Sequence, residues 1–160
     1  MSIIHIGWKD YNVSVSISGE WIDGISIVRN PVNPPLLISS SLETEIYRQI
    51  SSYFSGTNRS FCLPLQMNKL TLFQQKVFSQ LINVPYGKTI SYEELAVLSG
   101  GVNYRRAVGM ALSANPFPIA IPCHRVVPKH FSKSAVGGFS CGADVKIALL
   151  TLEKMDLFRA

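Results

Sequence analysis

Three prolines fall within seven residues of one apolar run, Pro116-Phe117-Pro118-Ile119-Ala120-Ile121-Pro122, and the next two residues are Cys123 and His124. Each proline fixes its own φ and restricts the residue before it, so this run is expected to end any preceding helix and to form a stiff loop. A stiff loop positions what it carries. A thiol with an unperturbed pKa of about 8.5 is mostly protonated at neutral pH, and a nearby imidazole can take that proton and leave a nucleophile. Buried cysteines are also ordinary core residues, and adjacent side chains need not face each other, so the dipeptide alone leaves both readings open.

Alternating polarity organises the beginning of the chain. Tyr11-Asn12-Val13-Ser14-Val15-Ser16-Ile17-Ser18, continued by Ile22, Ile25 and Ile27 after a Gly19-Glu20 turn, predicts a hairpin with one buried face. The proline-rich stretch 30–36 reads as a loop. Ser40 and Glu43 then have the spacing of a capping box, opening a helix that turns Leu42, Ile46, Ile50 and Tyr53 inward and stops at Gly56. Polar residues 55–60 and Pro64 mark a change of unit, which places a boundary near residue 65 and gives two domains, 1–65 and 66–160.

In the second domain Thr71 and Gln74 form another capping box, followed by Phe73, Val77 and Leu81 at helical spacing until Pro85-Tyr86-Gly87. Ser91 and Glu94 cap a short helix through Leu98, Gly100-Gly101 makes a turn, and Asn103 is expected to cap a second helix that Asn115-Pro116 ends. Helix, glycine turn, helix is a DNA-binding geometry and also that of a plain helical hairpin. A final helix is predicted from about Ala143 to Lys154, with Ile147 and Leu150 on one side and Glu153 near its end.

At 160 residues and 47% hydrophobic content the chain can bury a core. No apolar stretch approaches the roughly 20 residues that cross a bilayer, and the N-terminus lacks a signal peptide's basic start, so a soluble intracellular protein with no membrane partner is expected. The expected compartment is the cytoplasm, or the nucleus in a eukaryote. Cys62, Cys123 and Cys141 are an odd set without a Cys-x-x-Cys pair, which argues against a disulfide framework and a zinc knuckle. No metal ligand set or cofactor is expected. Charge is uneven: residues 1–65 carry four Lys/Arg against five Asp/Glu, while 66–160 carry eleven against five. The basic half suits a polyanion, although solvated surface lysines give the same count.

Asn115-Pro116-Phe117-Pro118-Ile119-Ala120-Ile121-Pro122-Cys123-His124-Arg125-Val126 closely resembles the active-site signature of the O6-alkylguanine-DNA alkyltransferases. Val84-Pro85-Tyr86-Gly87-Lys88-Thr89, Ser91-Tyr92-Glu93-Glu94-Leu95-Ala96 and Arg106-Ala107-Val108-Gly109-Met110-Ala111 resemble that family's upstream motifs. Val136-Gly137-Gly138-Phe139-Ser140 and 146–153 match its closing ones, so the resemblance spans most of 71–155. It implies an α+β chain: a small N-terminal α/β domain of ribonuclease-H-like kind, then a mainly helical C-terminal domain with a winged-helix-like helix-turn-helix.

The function implied is repair by direct reversal, in which O6-alkylguanine in duplex DNA, and by extension O4-alkylthymine, gives its alkyl group irreversibly to the protein's own cysteine. By resemblance Cys123 is the acceptor, His124 ionises it through a water, and Glu153 orients His124. Tyr92 and the backbone N–H of Ser140 are donors toward the departing base, and the carbonyls near Cys123 and Val126 read its exocyclic amine. Arg106 fills the gap left by the flipped nucleotide, Ala107, Gly109 and Ala111 let its helix lie close in the minor groove, and Asn115 ties that helix to the loop. Arg105, Lys129 and Lys133 are candidate phosphate contacts. The product is a thioether, which water does not cleave, so each molecule acts once. A monomer is expected, since no dimerisation segment is evident.

The chain departs from the family pattern in places. Tyr104 and Arg105 are bulkier than usual, Phe139 replaces a frequent tyrosine, Cys141 stands where glycine is usual, and the loop 128–135 is longer and more basic. Three other readings compete: a non-catalytic lesion binder, against which Cys123 itself argues; a Cys-His hydrolase; and a helix-turn-helix regulator.

Overall fold

The computed structural model of the chain describes residues 1–30 and 34–153; residues 31–33 of the proline-rich loop and the predicted helix end at Lys154 lie outside the described residues. The chain divides into two compact units, Met1–Gln66 and Met67–Ala160.

The first unit is an antiparallel sheet in the order β1 (Ser2–Trp8), β2 (Tyr11–Ser18), β3 (Trp21–Arg29), followed by α1 (Ser41–Phe54). Strand β1 was not among the sequence expectations, although Ile4, Ile6 and Trp8 alternate with more exposed residues. In β3 the buried residues are Ile22, Ile25 and Ile27. The three-residue step between the first two breaks the period of two, and a register shift absorbs it: Ile17 pairs with Ile22 but Ser16 pairs with Gly24. Helix α1 buries Ile46, Ile50 and Tyr53, and its neighbour Phe54 stacks on Trp8 at 4.6 Å.

The expected capping box of α1 is only half formed. Ser40 accepts from the Glu43 backbone N–H, but the Glu43 carboxylate accepts instead from Ser2 Oγ (2.6 Å), Ser39 N (2.7 Å) and Ser39 Oγ (2.9 Å). Glu43 is buried, so it goes to the donors that surround it rather than back to the cap.

The second unit runs α2 (Leu72–Ile82), β4 (Ile90–Ser91), α3 (Tyr92–Ser99), α4 (Arg105–Ser113), β5 (Val126–Val127) and α5 (Ala143–Leu152). Both α2 and α3 begin with complete capping boxes, at Thr71–Gln74 and Ser91–Glu94. Val77, Phe78 and Leu81 of α2, Leu95 and Ala96 of α3, and Val108, Ala111 and Leu112 of α4 are buried. Asn103 does not cap α4. It lies inside a single 3-10 turn, Val102–Tyr104, and the cap residue is Tyr104, which makes no side-chain cap bond. A residue held in that turn cannot take the extended backbone that a side-chain N-cap requires. No helix among the described residues is long and apolar enough to cross a membrane.

Candidate active site

Asn115, just beyond the C-terminus of α4, organises the proline loop. Its Oδ1 accepts from Phe117 N (2.9 Å), while Nδ2 donates to Ile121 O (3.0 Å) and to Cys123 Sγ (3.1 Å). Between these ties Ile119 sits fully buried at φ 75°, a region that β-branched residues rarely enter. Such strain persists only where the surroundings over-determine the backbone, and one amide holding both arms of the loop does so. Cys123 therefore emerges at a fixed place, 4% exposed, at the start of the 3-10 turn Cys123–Arg125.

That turn runs directly into β5, which pairs in parallel with β4 through Ile90↔Val126 and Ser91↔Val127. Ser91 is also the cap of α3, so the two-residue ladder sets Tyr92, the first residue of α3, beside the cysteine turn.

Beyond Cys123 lies a buried polar cluster. His124 Nε2 is 2.8 Å from Glu153 Oε1, and both side chains are fully buried. Arg125 grips the same carboxylate through Nε to Oε2 (2.9 Å) and Nη2 to Oε1 (2.8 Å), and its Nη1 donates to Val84 O (2.7 Å). Gly87 N adds a donor to Oε2 at 3.1 Å, and Tyr86 Oη donates to Leu152 O at 3.1 Å. Gly87 stands at φ 75°, and a Cβ there would lie 3.1 Å from the Glu153 carbonyl oxygen. The Pro85-Tyr86-Gly87 turn is thus wrapped closely around the carboxylate.

Electrostatics follow from this arrangement. Burial alone would raise the Glu153 carboxyl, but hydrogen bonds from His124 and Arg125 and the charge of Arg125 outweigh it and hold the group well below the usual carboxylate range. An ionised carboxylate only accepts, so His124 Nε2 must carry hydrogen and Nδ1 is the basic nitrogen of the neutral ring. Burial lowers the His124 pKa, against the pull of Glu153, so the ring rests neutral at pH 7. Burial likewise pushes the Cys123 thiol up to about 12, opposed by the Asn115 hydrogen bond and the Lys146 charge.

Cys123 lines a cavity of about 780 Å³ whose walls come from Tyr92, from Gly138, Phe139 and Ser140, and from Arg106, Gly109, Met110, Leu112, Ser113 and Ala114. Phe139 meets the His124 ring edge-on at 6.5 Å, linking the cavity wall to the buried cluster. Gly137, at φ 82°, brings the loop close to Tyr92: a Cβ there would lie 3.0 Å from the phenol oxygen. The Tyr92 pKa is raised by burial, and next by the nearby Cys123, so the phenol stays a donor.

Of the residues singled out in the sequence, Cys123, Tyr92, Ser140, Arg106 and Gly109 share this cavity, while His124, Glu153 and Asn115 contact or flank the cysteine turn. Val126 is fully buried, and its carbonyl accepts Lys146 Nζ at 2.6 Å. Arg105 is exposed and 3.8 Å from Glu93, and Ala107 is half-buried.

Lys146 and Arg125 were not singled out. Lys146 is fully buried, donates also to Gly138 O at 3.2 Å, and lies 5.9 Å from the Tyr92 ring centroid. Burial lowers its pKa to about 8, against the attraction of a Cys123 thiolate. It latches the 136–140 loop to β5 and sets a cation near the sulfur. A charge inside the apolar run Val145-Lys146-Ile147-Ala148-Leu149-Leu150 was the available sequence signal.

The arrangement suits nucleophilic attack by sulfur on a ligand held between α4 and the 138–140 loop. A family model for the DNA-binding domain of 6-O-methylguanine DNA methyltransferase matches residues 72–155. A methylated-DNA–protein-cysteine methyltransferase of Methanosarcina barkeri is 35% identical over 153 residues, 96% of this chain and 85% of the relative. A constitutive one from Bacillus subtilis is 35% identical over 137 residues, 86% and 79% of the two chains. The crystal structure of Mycobacterium tuberculosis OGT in complex with DNA is similar at a TM-score of 0.80 and 30% identity, covering 95% of this chain and 92% of that one.

Proposed function

Because the chain belongs to the O6-methylguanine DNA methyltransferase family, we propose that Cys123 is the cysteine to which it transfers the alkyl group. The protein repairs DNA by direct reversal, taking the alkyl group of O6-alkylguanine onto itself in a single turnover. One observation carries the assignment of Cys123: it is the cysteine that lines the cavity, it accepts a hydrogen bond from Asn115, and it adjoins the His124–Glu153 pair.

In the reaction His124 Nδ1 takes the thiol proton through a water, and Glu153 stabilises the imidazolium that forms. Sulfur attacks the saturated carbon, the carbon–O6 bond breaks, and its electron pair stays on the guanine. Tyr92 Oη and the Ser140 N–H donate toward the base as that charge develops, and a proton restores neutral guanine. The charge of Lys146 favours the new thiolate. O6-alkylguanine is the substrate argued from this site, and O4-alkylthymine is a second substrate to be tested in the same way.

DNA carrying O6-alkylguanine is the partner. The reacting atom is inaccessible in a stacked duplex, so the base must enter the cavity from outside the helix. Arg106, exposed on α4 at the cavity mouth, is the residue we place in the vacated stack, with Ala107 and Gly109 against the minor groove and Arg105 toward the backbone. Asn115 fixes the loop to α4. Residues 1–65, read as the ribonuclease-H-like domain, contribute none of these groups. We read the protein as a monomer working in the cytoplasm, or in the nucleus of a eukaryote, where its DNA is.

The test is direct. A duplex with one O6-methylguanine should leave one methyl on the peptide bearing Cys123, restore guanine, and give no second turnover; binding without methylation would favour the lesion-binding reading. Arg106→Ala should slow transfer from duplex DNA by about tenfold or more while changing reaction with free O6-benzylguanine less than about twofold, because only the duplex requires an extruded base. Equal losses on both substrates would remove Arg106 from the gap-filling role.

A further inference from the structure

Cys141 is a thiol that the alkyl-transfer chemistry leaves unused, and it sits in the turn that carries part of the Cys123 cavity wall. Gly142 N donates to Phe139 O at 3.0 Å, so residues 139–142 form one tight turn with Ser140 and Cys141 at its two central positions. Phe139 and Ser140 line the cavity together with Cys123.

Three contacts hold this loop against the cysteine turn. Phe139 meets the His124 ring edge-on at 6.5 Å, and Lys146 Nζ donates both to Val126 O at 2.6 Å and to Gly138 O at 3.2 Å. The residue after Cys123 thus packs on the residue two before Cys141, and one ammonium joins the backbone of both segments. The two sulfurs are near enough for a charge on Cys141 to act on Cys123. A disulfide needs its two Cα atoms within about 7 Å, and Gly137 at φ 82° and Gly142 at φ 106°, on either side of the turn, give its backbone room to adjust. Cys141 is half-buried, whereas the third cysteine, Cys62, is exposed in the other unit.

We propose that Cys141 is a resolving thiol for Cys123, and that under a peroxide oxidant the two form a reversible intramolecular disulfide that guards the acceptor sulfur. The proposal rests on the reading of Cys123 as the alkyl acceptor and adds a redox reaction at the same atom. In the first step Cys123 Sγ, its proton taken by His124, attacks one peroxide oxygen. The O–O bond breaks, and the departing hydroxide recovers that proton as water, leaving Cys123 as a sulfenic acid. In the second step the Cys141 sulfur attacks the Cys123 sulfur, the S–O bond breaks, and the hydroxyl leaves with the Cys141 proton as water. Two thiols and one peroxide become one disulfide and two waters.

A sulfenic acid without such a partner can be oxidised onward to sulfinic acid, which thiols do not reduce. A protein whose acceptor works once gains from keeping it out of that state, since each sulfur lost to oxidation is a lesion left unrepaired.

Hydrogen peroxide is the probe. Wild-type protein treated with a modest excess should become two hydrogens lighter, yield one linked peptide pair bearing Cys123 and Cys141 on non-reducing mapping, and stop reacting with free O6-benzylguanine. Dithiothreitol should return its rate to within about twofold of the untreated protein, whereas Cys141→Ser should recover less than about a tenth of its own untreated rate and carry Cys123 as sulfinic acid. Cys62→Ser should behave as the wild type does.

Absence of the linked pair, linkage through Cys62 or between two molecules, or equal recovery in Cys141→Ser would each overturn the proposal. The peptide map of the wild type decides even where a variant fails to fold, and Cys141→Ala supplies a second replacement. Failure of the alkyltransferase reading would appear separately, as a wild type left unmethylated by the lesion duplex, and the linked peptide would be read all the same.

Discussion

Cys123→Ser binds a duplex containing O6-methylguanine and leaves it methylated, over times in which the wild type is fully converted. The substitution changes one buried atom, and the serine oxygen can still accept from Asn115 Nδ2, which meets the sulfur at 3.1 Å. Fold and lesion binding should therefore survive. What is lost is the nucleophile, since a hydroxyl ionises far less readily than a thiol and attacks saturated carbon poorly. A burial that already pushes the thiol up would oppose an alkoxide more strongly.

The other two cysteines sharpen this test. Cys62 is exposed in the N-terminal unit, and Cys141 is half-buried one residue beyond the cavity wall, close enough to raise the Cys123 pKa. Intact-mass and peptide mapping of the variant should find no methyl on either. Methylation of Cys141 in the variant would show that the cavity can deliver an alkyl group to a second thiol, and Asn115, His124 and Glu153 would then not suffice to identify the acceptor.

Parts of the structure that depend on neighbours in sequence are legible from the chain alone. The boxes at Thr71–Gln74 and Ser91–Glu94 need only a hydroxyl, a carboxylate or amide, and a three-residue spacing. Ser40–Glu43 has the same spacing and forms only half the box, because the acid is captured by neighbouring Ser39 and by Ser2, which β1 brings alongside. The Ser2 contact lies outside any window around residue 43. Asn103 differs from the expected cap for a related reason: a 3-10 turn intervenes between Gly101 and α4, and a cap depends on where the first helical residue falls.

The site divides in the same way. Tyr92 stands near Cys123 because a two-residue parallel ladder joins segments some 35 positions apart, which spacing alone does not reveal. Pro85-Tyr86-Gly87 reads as a helix stop, yet in three dimensions it also encloses Glu153. Arg125 carries no signal of its own in the motif, yet it grips that carboxylate through two of its nitrogens. For Val126 the motif suggests a carbonyl open to the base, and the structure shows that carbonyl already accepting Lys146, so any guanine amine would have to share it. Long-range electrostatics, unlike helix caps, leave only composition-level traces such as a lysine in an apolar helix.

Glu153→Gln should cost both stability and chemistry, for reasons that geometry separates. The carboxylate accepts from His124 Nε2, Arg125 Nε and Nη2, and Gly87 N. An amide of the same shape offers one acceptor, and whichever way it turns, its NH2 faces N–H donors. Arg125, 5% exposed, is left as a buried cation without its counter-ion. Breaking a buried pair from one side costs roughly 3–5 kcal/mol, to be read from denaturant unfolding at pH 7.

The sign with pH follows from the depressed Glu153 pKa. Stability from that carboxylate is fully present above the unfolded value of about 4.3 and is lost as pH falls toward the folded value. The gap between wild type and variant should therefore narrow as the solution is acidified. A loss below about 1 kcal/mol, or a gap independent of pH, would mean that the Arg125–Glu153 pair is solvated and not buried.

The kinetic loss has its own cause. His124 can satisfy a glutamine NH2 only by changing tautomer, which puts the proton on Nδ1 and removes the base that the thiol needs. Transfer measured where the variant is fully folded should be slower by about a hundredfold or more, the usual contribution of a positioned general base. Wild-type rates in a folded variant would take Glu153 and His124 out of thiol activation and leave the cluster as a structural anchor for the cysteine turn.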